Sequence, residues 1–200
     1  MTALYLVLAA YFAILFGIGL FARKQVSSLE DYLVGGKKLG YWVVAFSARA
    51  TGESAWLLLG LTGLGAIAGV SALWVVLGEV IGVAGAWFLM AKPFKERTDK
   101  YESITIPDYF VSHFSDGTAE TEKATTLLRK VAAGALAIFI IIYVSAQIDA
   151  TGKAFEQFLQ WDYYTGLLVG FAIVVAYTLF GGFVAVAWSD LFQGTLMAIG

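Results

Sequence analysis

The sequence has no cysteine, a single histidine and two prolines among its 200 residues. Without cysteine, disulfides, thiol chemistry and cysteine-based metal sites are excluded within these residues. One histidine, His113, cannot build a multi-histidine metal site, and it is interpreted as a solvated loop residue. No nucleophile–base–acid set and no phosphate-binding loop indicates an enzyme. No basic patch interleaved with aromatic residues indicates a nucleic-acid partner.

Charged residues are also scarce. They make up 14% of the chain, whereas a soluble domain carries roughly a quarter. Hydrophobic residues make up 60%, and the mean hydropathy is +0.78. This composition predicts an integral membrane protein whose partner is the lipid bilayer.

Long apolar runs predict six membrane-spanning helices in a single all-α transmembrane domain. The first run has no basic region before it, which favours a retained helix over a cleaved signal peptide. A hydrophilic loop is predicted at 92–130, and Thr105-Ile106-Pro107-Asp108 inside it predicts a helix start. The last run is still apolar where the sequence ends, so the chain is expected to be a fragment. The predicted helices are 3–22, 41–66, 73–91, 131–150, 164–180 and 184–200.

The distribution of positive charge predicts the orientation of these helices. Eleven of the thirteen Lys and Arg residues fall in the connections after the first and third helices. Of the other two, Lys153 lies on the opposite side and Arg49 lies within a span. Because basic loops stay in the cytoplasm, the N-terminus is predicted to be outside the cell membrane.

A polar stretch from Arg49 to Trp56 lies within the predicted second helix. At about 1.5 Å per residue, the run 39–91 is about 80 Å long, which places this stretch near mid-membrane in the first crossing. Arg49 and Glu53 are spaced to form an ion pair on one helix face. Glu53 could instead lie beside a cation path, with Gly52 opening the helix and exposing backbone carbonyls.

Other polar residues in the apolar runs admit both structural and functional interpretations. Ser54 and Trp56 supply a hydroxyl and an aromatic wall, or simply pack. Glu79 is expected to be protonated or to face water, and to contact either substrate or another helix. An interfacial helix start explains Asp190, which has Gln193 one turn further on. Gln147 and Asp149 are explained by a solvated rim, and Tyr143 by packing.

The segment 177–193, YTLFGGFVAVAWSDLFQ, resembles a hallmark of the sodium:solute symporter family, in which Gly-Gly is followed by Ala-Val, Trp, Ser or Thr, Asp, and Gln. Three further stretches support the resemblance: SAWLLLG at 54–60, ITIPDYF at 104–110 and IYVSA at 142–146. The likeness extends over essentially all 200 residues. It is greatest to the family's proline-transporting branch.

The resemblance implies a transporter with two inverted repeats, in which the second helix is broken. By this resemblance, sodium is the coupling ion and binds the backbone carbonyls of Ala50 and Glu53. Ser54 and the residues after it, Trp56 and Gly60 among them, are implied to lie near sodium and substrate. Asp190 is implied to lie on the sodium path to the cytoplasm, and Tyr143 near a bound solute, most simply proline or a related amino acid.

One departure from the family bears on the coupling ion. The proline-transporting members carry aspartate where this chain has Gly52. Proton coupling through Glu53 therefore stays open beside sodium coupling. Two further alternatives are a transporter-like module of a sensor protein, and an ion channel. A sensor would add a soluble domain, and a channel would carry a polar face along a whole span.

Overall fold

The computed structural model describes residues 2–52 and 54–199, with the side chains of these residues other than Thr51 and Leu58. All regular structure in this part of the chain is helical. Four described helical stretches are long and apolar enough to cross a membrane. The predicted class, an all-α multi-span membrane protein, is therefore confirmed, whereas the inverted repeat stays a prediction. The four stretches are Thr2–Arg23, Leu59–Lys100, Ala119–Leu159 and Tyr163–Ile199.

Nine α-helices follow one another along the described residues. Two 3-10 turns, Gly35–Lys37 and Gly69–Ala72, and two wider π-helical segments, Trp56–Leu61 and Ala86–Ala91, lie between some of them. The α-helices are α1 (Thr2–Arg23), α2 (Leu29–Val34), α3 (Tyr41–Gly52), α4 (Thr62–Ala68), α5 (Leu73–Gly85), α6 (Lys92–Lys100), α7 (Ile106–Phe114), α8 (Ala119–Leu159) and α9 (Tyr163–Ile199).

The chain divides into two compact units, which are described separately. The first contains Met1–Trp56 and Ala146–Gly200, and the second contains Leu57–Ser145. In the first unit, α1 packs along α9 around a cluster of buried apolar side chains. Burying a side chain as large as Leu or Val is worth roughly 1.5–3 kcal/mol in water, whereas in lipid close packing takes over that role. The cluster comprises Leu15, Ala22, Tyr177, Val184 and Ala185.

A kink at Gly182 interrupts α9. Its φ of 56° and ψ of −145° lie in a region that residues with a Cβ almost never adopt. The short helix α2 packs against this kink, and a Cβ on Gly182 would lie 2.4 Å from the carbonyl oxygen of Tyr32. The Tyr32 hydroxyl lies 3.4 Å from the carbonyl oxygens of Thr178 and Leu179. These carbonyls precede Gly182 and Phe183 by four residues, so the hydroxyl offers a donor at the kink.

Asp31 anchors the connection that contains α2. Its side chain is only 3% exposed. One carboxylate oxygen accepts from the Lys38 ammonium at 2.8 Å, and the other accepts from the Ser27 hydroxyl at 2.7 Å. These donors, Lys38 above all, hold the pKa of Asp31 well below its usual range. The Ser28 hydroxyl caps α2 by accepting from the Asp31 amide at 3.0 Å.

In the second unit, the predicted helix start at Thr105 is confirmed. The Thr105 hydroxyl accepts from the Asp108 amide at 3.2 Å, and α7 follows with a proline in its first turn. Asp108 also pairs with Arg129 of α8 at 2.6 Å. The loop position predicted for His113 is wrong, because it lies in α7. Its ring stacks on Tyr109, with centroids 5.3 Å apart.

The bounds of several helices differ from those inferred from hydropathy. Residues 92–130 contain α6, α7 and the first turns of α8 rather than an irregular loop. The run 164–180 and the described residues 184–199 of the last run fall within α9, on either side of the Gly182 kink. Hydropathy indicates where a helix can contact lipid. Lys, Glu and Arg favour helices about as strongly as apolar residues such as Leu, and they do so in water. Charge therefore does not mark the end of a helix.

Candidate cation and substrate site

The predicted second helix is interrupted where the sequence indicated. α3 ends at Gly52, Ser54 is not helical, and a π-helical segment begins at Trp56. An interruption between about Ala50 and Ser54 is therefore confirmed. Glu53 lies outside the described residues, and with it the predicted Arg49–Glu53 pair and the predicted carbonyl ligand at Glu53.

Two side chains accept hydrogen bonds from the backbone amides that follow the interruption. The Trp56 amide donates to the Ser54 hydroxyl oxygen at 3.1 Å, which makes Ser54 a local cap. The Ala55 amide donates to the side-chain oxygen of Gln147 at 2.9 Å. Such partners matter because a backbone amide left unpaired in the bilayer core costs several kcal/mol. Gln147 thus has a backbone partner beside the interruption, which the solvated-rim interpretation did not include.

Asp190 lies on α9 and faces α3. The Ser47 hydroxyl donates to one of its carboxylate oxygens at 2.7 Å, a bond between residues 143 positions apart. The backbones approach closely here, because a Cβ on Gly194 would lie 2.5 Å from the ring of Phe46. The missing side chain at Gly194 thus admits Phe46, and Ser47 follows it into reach of Asp190. The carboxylate has a hydroxyl partner instead of standing alone at a helix start.

A second polar contact lies one turn further along α9. The Gln193 side-chain nitrogen donates to the Tyr11 hydroxyl at 2.7 Å, which joins α9 to α1. Ser189, which is almost completely buried, donates to the Val186 carbonyl at 2.8 Å within α9. Asp190 and Gln193 therefore each have a partner on another helix, α3 for the first and α1 for the second.

The remaining predicted site residues are distributed over both units. Ala50 lies in the last turn of α3, three residues beyond Ser47. Trp56 follows the interruption, with its side chain 53% exposed. Gly60 and Tyr143 belong to the second unit, where the Tyr143 side chain is 47% exposed.

The donor atoms suit a hard cation of low charge. Among the described residues, no group of three or more His, Cys, Asp or Glu side chains could hold a metal ion. At the interruption the first unit offers oxygen atoms, namely the Ser54 hydroxyl and the backbone carbonyls at the end of α3, and the Asp190 carboxylate of α9 contacts α3 further back, at Ser47. Oxygen donors of this kind are preferred by hard cations.

Ser47 and Gln147 were not recognised as site residues from the sequence. Ser47 sits three residues before Ala50 and therefore on the same helix face, a spacing that could have identified it. Gln147 is a polar side chain on a predicted span, which is itself a signal for a buried hydrogen bond. The partner of Gln147 lies 92 residues away along the chain.

Known proteins are similar to this chain over most of its length. The family model for the sodium:solute symporter family matches residues 32–200. The chain is 41% identical over 181 residues to the high-affinity proline transporter PutP of Bacillus subtilis, a match that covers 90% of the chain and 37% of that protein. It is 38% identical over 191 residues to the osmoregulated proline transporter OpuE of the same organism, covering 95% of the chain and 37% of OpuE.

A sodium/proline symporter of Staphylococcus aureus is 33% identical over 197 residues, covering 98% of the chain and 37% of the symporter. The chain thus spans little more than a third of the length of these relatives. No solved structure matches it. Because the family model covers most of the chain, and the relatives match nearly all of it, the chain belongs to the sodium:solute symporter family.

Proposed function

We propose that the protein carrying this chain is a sodium-coupled symporter for a small organic solute, with proline or a related amino acid as the first candidate. Its mechanism is alternating access, in which the bound ion and solute are exposed to each side of the membrane in turn. Family membership and the names of the relatives, which are proline transporters or symporters, support this proposal.

The observation that carries the proposal is the interruption of the helix between Gly52 and Trp56. An interrupted helix in a membrane frees backbone carbonyls, and freed carbonyls coordinate sodium. In this proposal the carbonyls of Ala50 and Glu53 and the hydroxyl of Ser54 bind the ion. Asp190 lies on its path to the cytoplasm, with Ser47 as its hydrogen-bond partner.

The solute is proposed to contact Trp56 in the first unit, while Gly60 and Tyr143, which belong to the second unit, stay predicted contacts. The Trp56 side chain is 53% exposed, which leaves aromatic surface for an apolar ring such as that of proline. We further propose that the protein lies in the cell membrane with its N-terminus outside. The eleven Lys and Arg residues of the two basic connections support this orientation.

Uptake of labelled proline tests the coupling directly. The full-length protein that contains these residues is reconstituted into vesicles, and initial uptake is compared under inward sodium, potassium and proton gradients. We expect the sodium gradient to raise the initial rate several-fold over potassium, and an ionophore that collapses the gradient to abolish the difference. Equal rates under sodium and potassium would contradict sodium coupling.

A second coupling mode is favoured by one residue. Gly52 cannot supply the carboxylate that proline-transporting family members carry at this position, and Glu53 follows it. A proton carried by Glu53 would then replace sodium as the driving ion. In that case the same vesicles would respond to an inward proton gradient and not to sodium. A Glu53→Gln variant would lose the proton response.

A further inference from the structure

The side chain of Gln147 makes a contact that the proposed transport mechanism does not yet use. Its oxygen accepts from the Ala55 amide at 2.9 Å, across 92 residues of sequence. An amide N–H needs an acceptor, so the orientation of the Gln147 side-chain amide is fixed with the oxygen toward Ala55. The contact joins α8 to the first residue after the interruption in the first unit.

The Ala55 amide needs this partner because of its place in the chain. In a continuous helix it would bond to the carbonyl of the residue four positions earlier, Thr51. Here a non-helical residue, Ser54, comes directly before it. The Ser54 hydroxyl accepts from the next amide, that of Trp56, at 3.1 Å. Two consecutive amides thus donate to side chains, one to the neighbouring Ser54 and the other to Gln147 of another helix.

The turn of α8 that carries Gln147 is itself anchored. Two residues on, Asp149 accepts from Lys153 at 2.7 Å and from the Tyr163 hydroxyl at 2.7 Å. A Cβ on Gly152 would lie 2.8 Å from the Tyr163 ring, so α8 and α9 meet closely there. Gln147 therefore projects from a part of α8 that is held against α9.

From this geometry we infer that Gln147 is a positioning residue for the proposed cation site. Its oxygen fixes the start of the helical segment after the interruption, and with it the Ser54 hydroxyl and the nearby carbonyls that are proposed to bind sodium. Gln147 acts through the backbone and touches neither ion nor solute. The transport part of this inference rests on the proposed function.

Three substitutions in the full-length protein separate the effect of losing the hydrogen-bond acceptor from the effect of changing the size of the side chain. Gln147→Leu removes the acceptor, Gln147→Asn withdraws it by one methylene, and Gln147→Glu keeps an oxygen at the same reach. Ser145→Ala is the matched control, because the Ser145 hydroxyl donates to the Ile141 carbonyl within α8 at 2.8 Å. If the leucine variant does not reach the membrane, the asparagine variant carries the test.

The first measurement does not depend on transport. Hydrogen exchange of the peptide that contains Ala55 is followed in lipid nanodiscs. We expect roughly tenfold faster exchange in the leucine and asparagine variants, the change that loss of one hydrogen bond gives. The glutamate and Ser145→Ala variants should exchange at the wild-type rate. Unchanged exchange in both acceptor-deficient variants would overturn the inference.

The second measurement is uptake at varied sodium and varied proline. The half-saturating sodium concentration should rise several-fold in the leucine and asparagine variants and return toward the wild-type value with glutamate. The half-saturating proline concentration, measured at saturating sodium, should stay within about twofold. A change in the proline value alone would place Gln147 at the solute and overturn the inference. If the wild-type protein shows no sodium-driven uptake, the proposed function fails, and hydrogen exchange still decides the role of Gln147.

Discussion

At the scale of single residues, the contact between Ser47 and Asp190 joins two parts of the proposed ion path. Ser47 belongs to the helix that ends at the interruption, and Asp190 belongs to α9. The hydroxyl donates to a carboxylate, and charge-assisted hydrogen bonds of this kind are roughly twice as strong as neutral ones. A change in the charge of Asp190 is therefore expected to act on α3 at Ser47.

Replacing Asp190 by asparagine removes the charge and keeps an oxygen that Ser47 can donate to. If Asp190 lies on the sodium path, the protein should reach the membrane normally while its half-saturating sodium concentration rises roughly tenfold, a cost of about 1.4 kcal/mol. The measurement is sodium-dependent proline uptake, corrected for the amount of protein in the membrane.

Asp162→Asn is the control for this prediction. Asp162 caps the start of α9 by accepting from the Thr165 amide at 3.1 Å, and asparagine caps equally well. If Asp190 served only the helix dipole, Asp190→Asn and Asp162→Asn would both leave the sodium response unchanged. Normal abundance with an unaltered sodium response in Asp190→Asn would remove Asp190 from the path.

From the sequence, polar residues within apolar runs could be recognised as candidate site residues, but their hydrogen-bond partners could not. Ser54 and Asp190 are polar residues in apolar runs, and they could be selected on that ground alone. Gln147 and Ser47 are also polar residues in apolar runs. Their importance comes from hydrogen bonds that span 92 and 143 residues of sequence. Such bonds depend on how helices pack, which local patterns do not encode.

At the scale of helices, the kink in α9 depends on a glycine and on the helix that packs against it. The pair Gly181-Gly182 predicted a boundary between two helices, and the structure has a non-helical Gly182 within α9. What the sequence did not indicate is that α2 lies at the kink and offers it the Tyr32 hydroxyl. The basic connection after the first predicted helix thus contributes a structural element to the first unit.

Gly182→Ala is expected to destabilise the protein. The backbone conformation at this position costs a residue with a Cβ about 1–3 kcal/mol, and the added Cβ would lie 2.4 Å from the Tyr32 carbonyl oxygen. Thermal unfolding of the purified protein in detergent should shift to lower temperature by several degrees.

Gly134→Ala is the matched control for this substitution. Gly134 lies inside α8, and a Cβ added there would meet nothing within 4 Å. Alanine favours a helix interior over glycine by about 1 kcal/mol, so this variant should be neutral or slightly more stable. An equal loss of stability in both variants would mean that the kink has no special requirement for glycine.

Charged segments show the limit of reading helices from hydropathy. The Thr105 cap and the proline after it predicted α7 correctly, because caps act locally and leave a sequence signature. The basic and acidic residues of α6 and of the first turns of α8 gave no such signal, although they form helices. A change from apolar to charged residues shows where a helix leaves lipid, and the helix itself can continue.

At the scale of the whole molecule, much apolar side-chain surface is exposed on the described helices. In the second unit, Trp74 and Ile81 of α5 are 75% and 70% exposed, and Phe139 of α8 is 71% exposed. Exposed apolar surface of this extent is typical of helices that contact lipid or further protein. It fits a multi-pass membrane protein whose relatives are much longer than this chain.

The predicted orientation can be tested with single cysteines, because these 200 residues contain none. Gln25 and Glu120 are exposed positions in the two basic connections, and Gln157 is exposed on the opposite side of the predicted topology. Ser28 and Thr121 are less suitable, because the Ser28 hydroxyl caps α2 and the Thr121 hydroxyl bonds with that of Thr118. Any cysteine elsewhere in the full-length protein is first replaced.

With the N-terminus outside, Gln25→Cys and Glu120→Cys should react with a membrane-impermeant maleimide only when the cytoplasmic side is accessible, as in inverted vesicles. Gln157→Cys should react in intact cells. The reason is electrostatic, since the connections that carry eleven of the thirteen Lys and Arg residues are retained in the cytoplasm. The opposite pattern at all three positions would invert the orientation of the whole domain. It would then place Asp190 on the outward rather than the inward sodium path, so this labelling also decides how the Asp190→Asn result is to be interpreted.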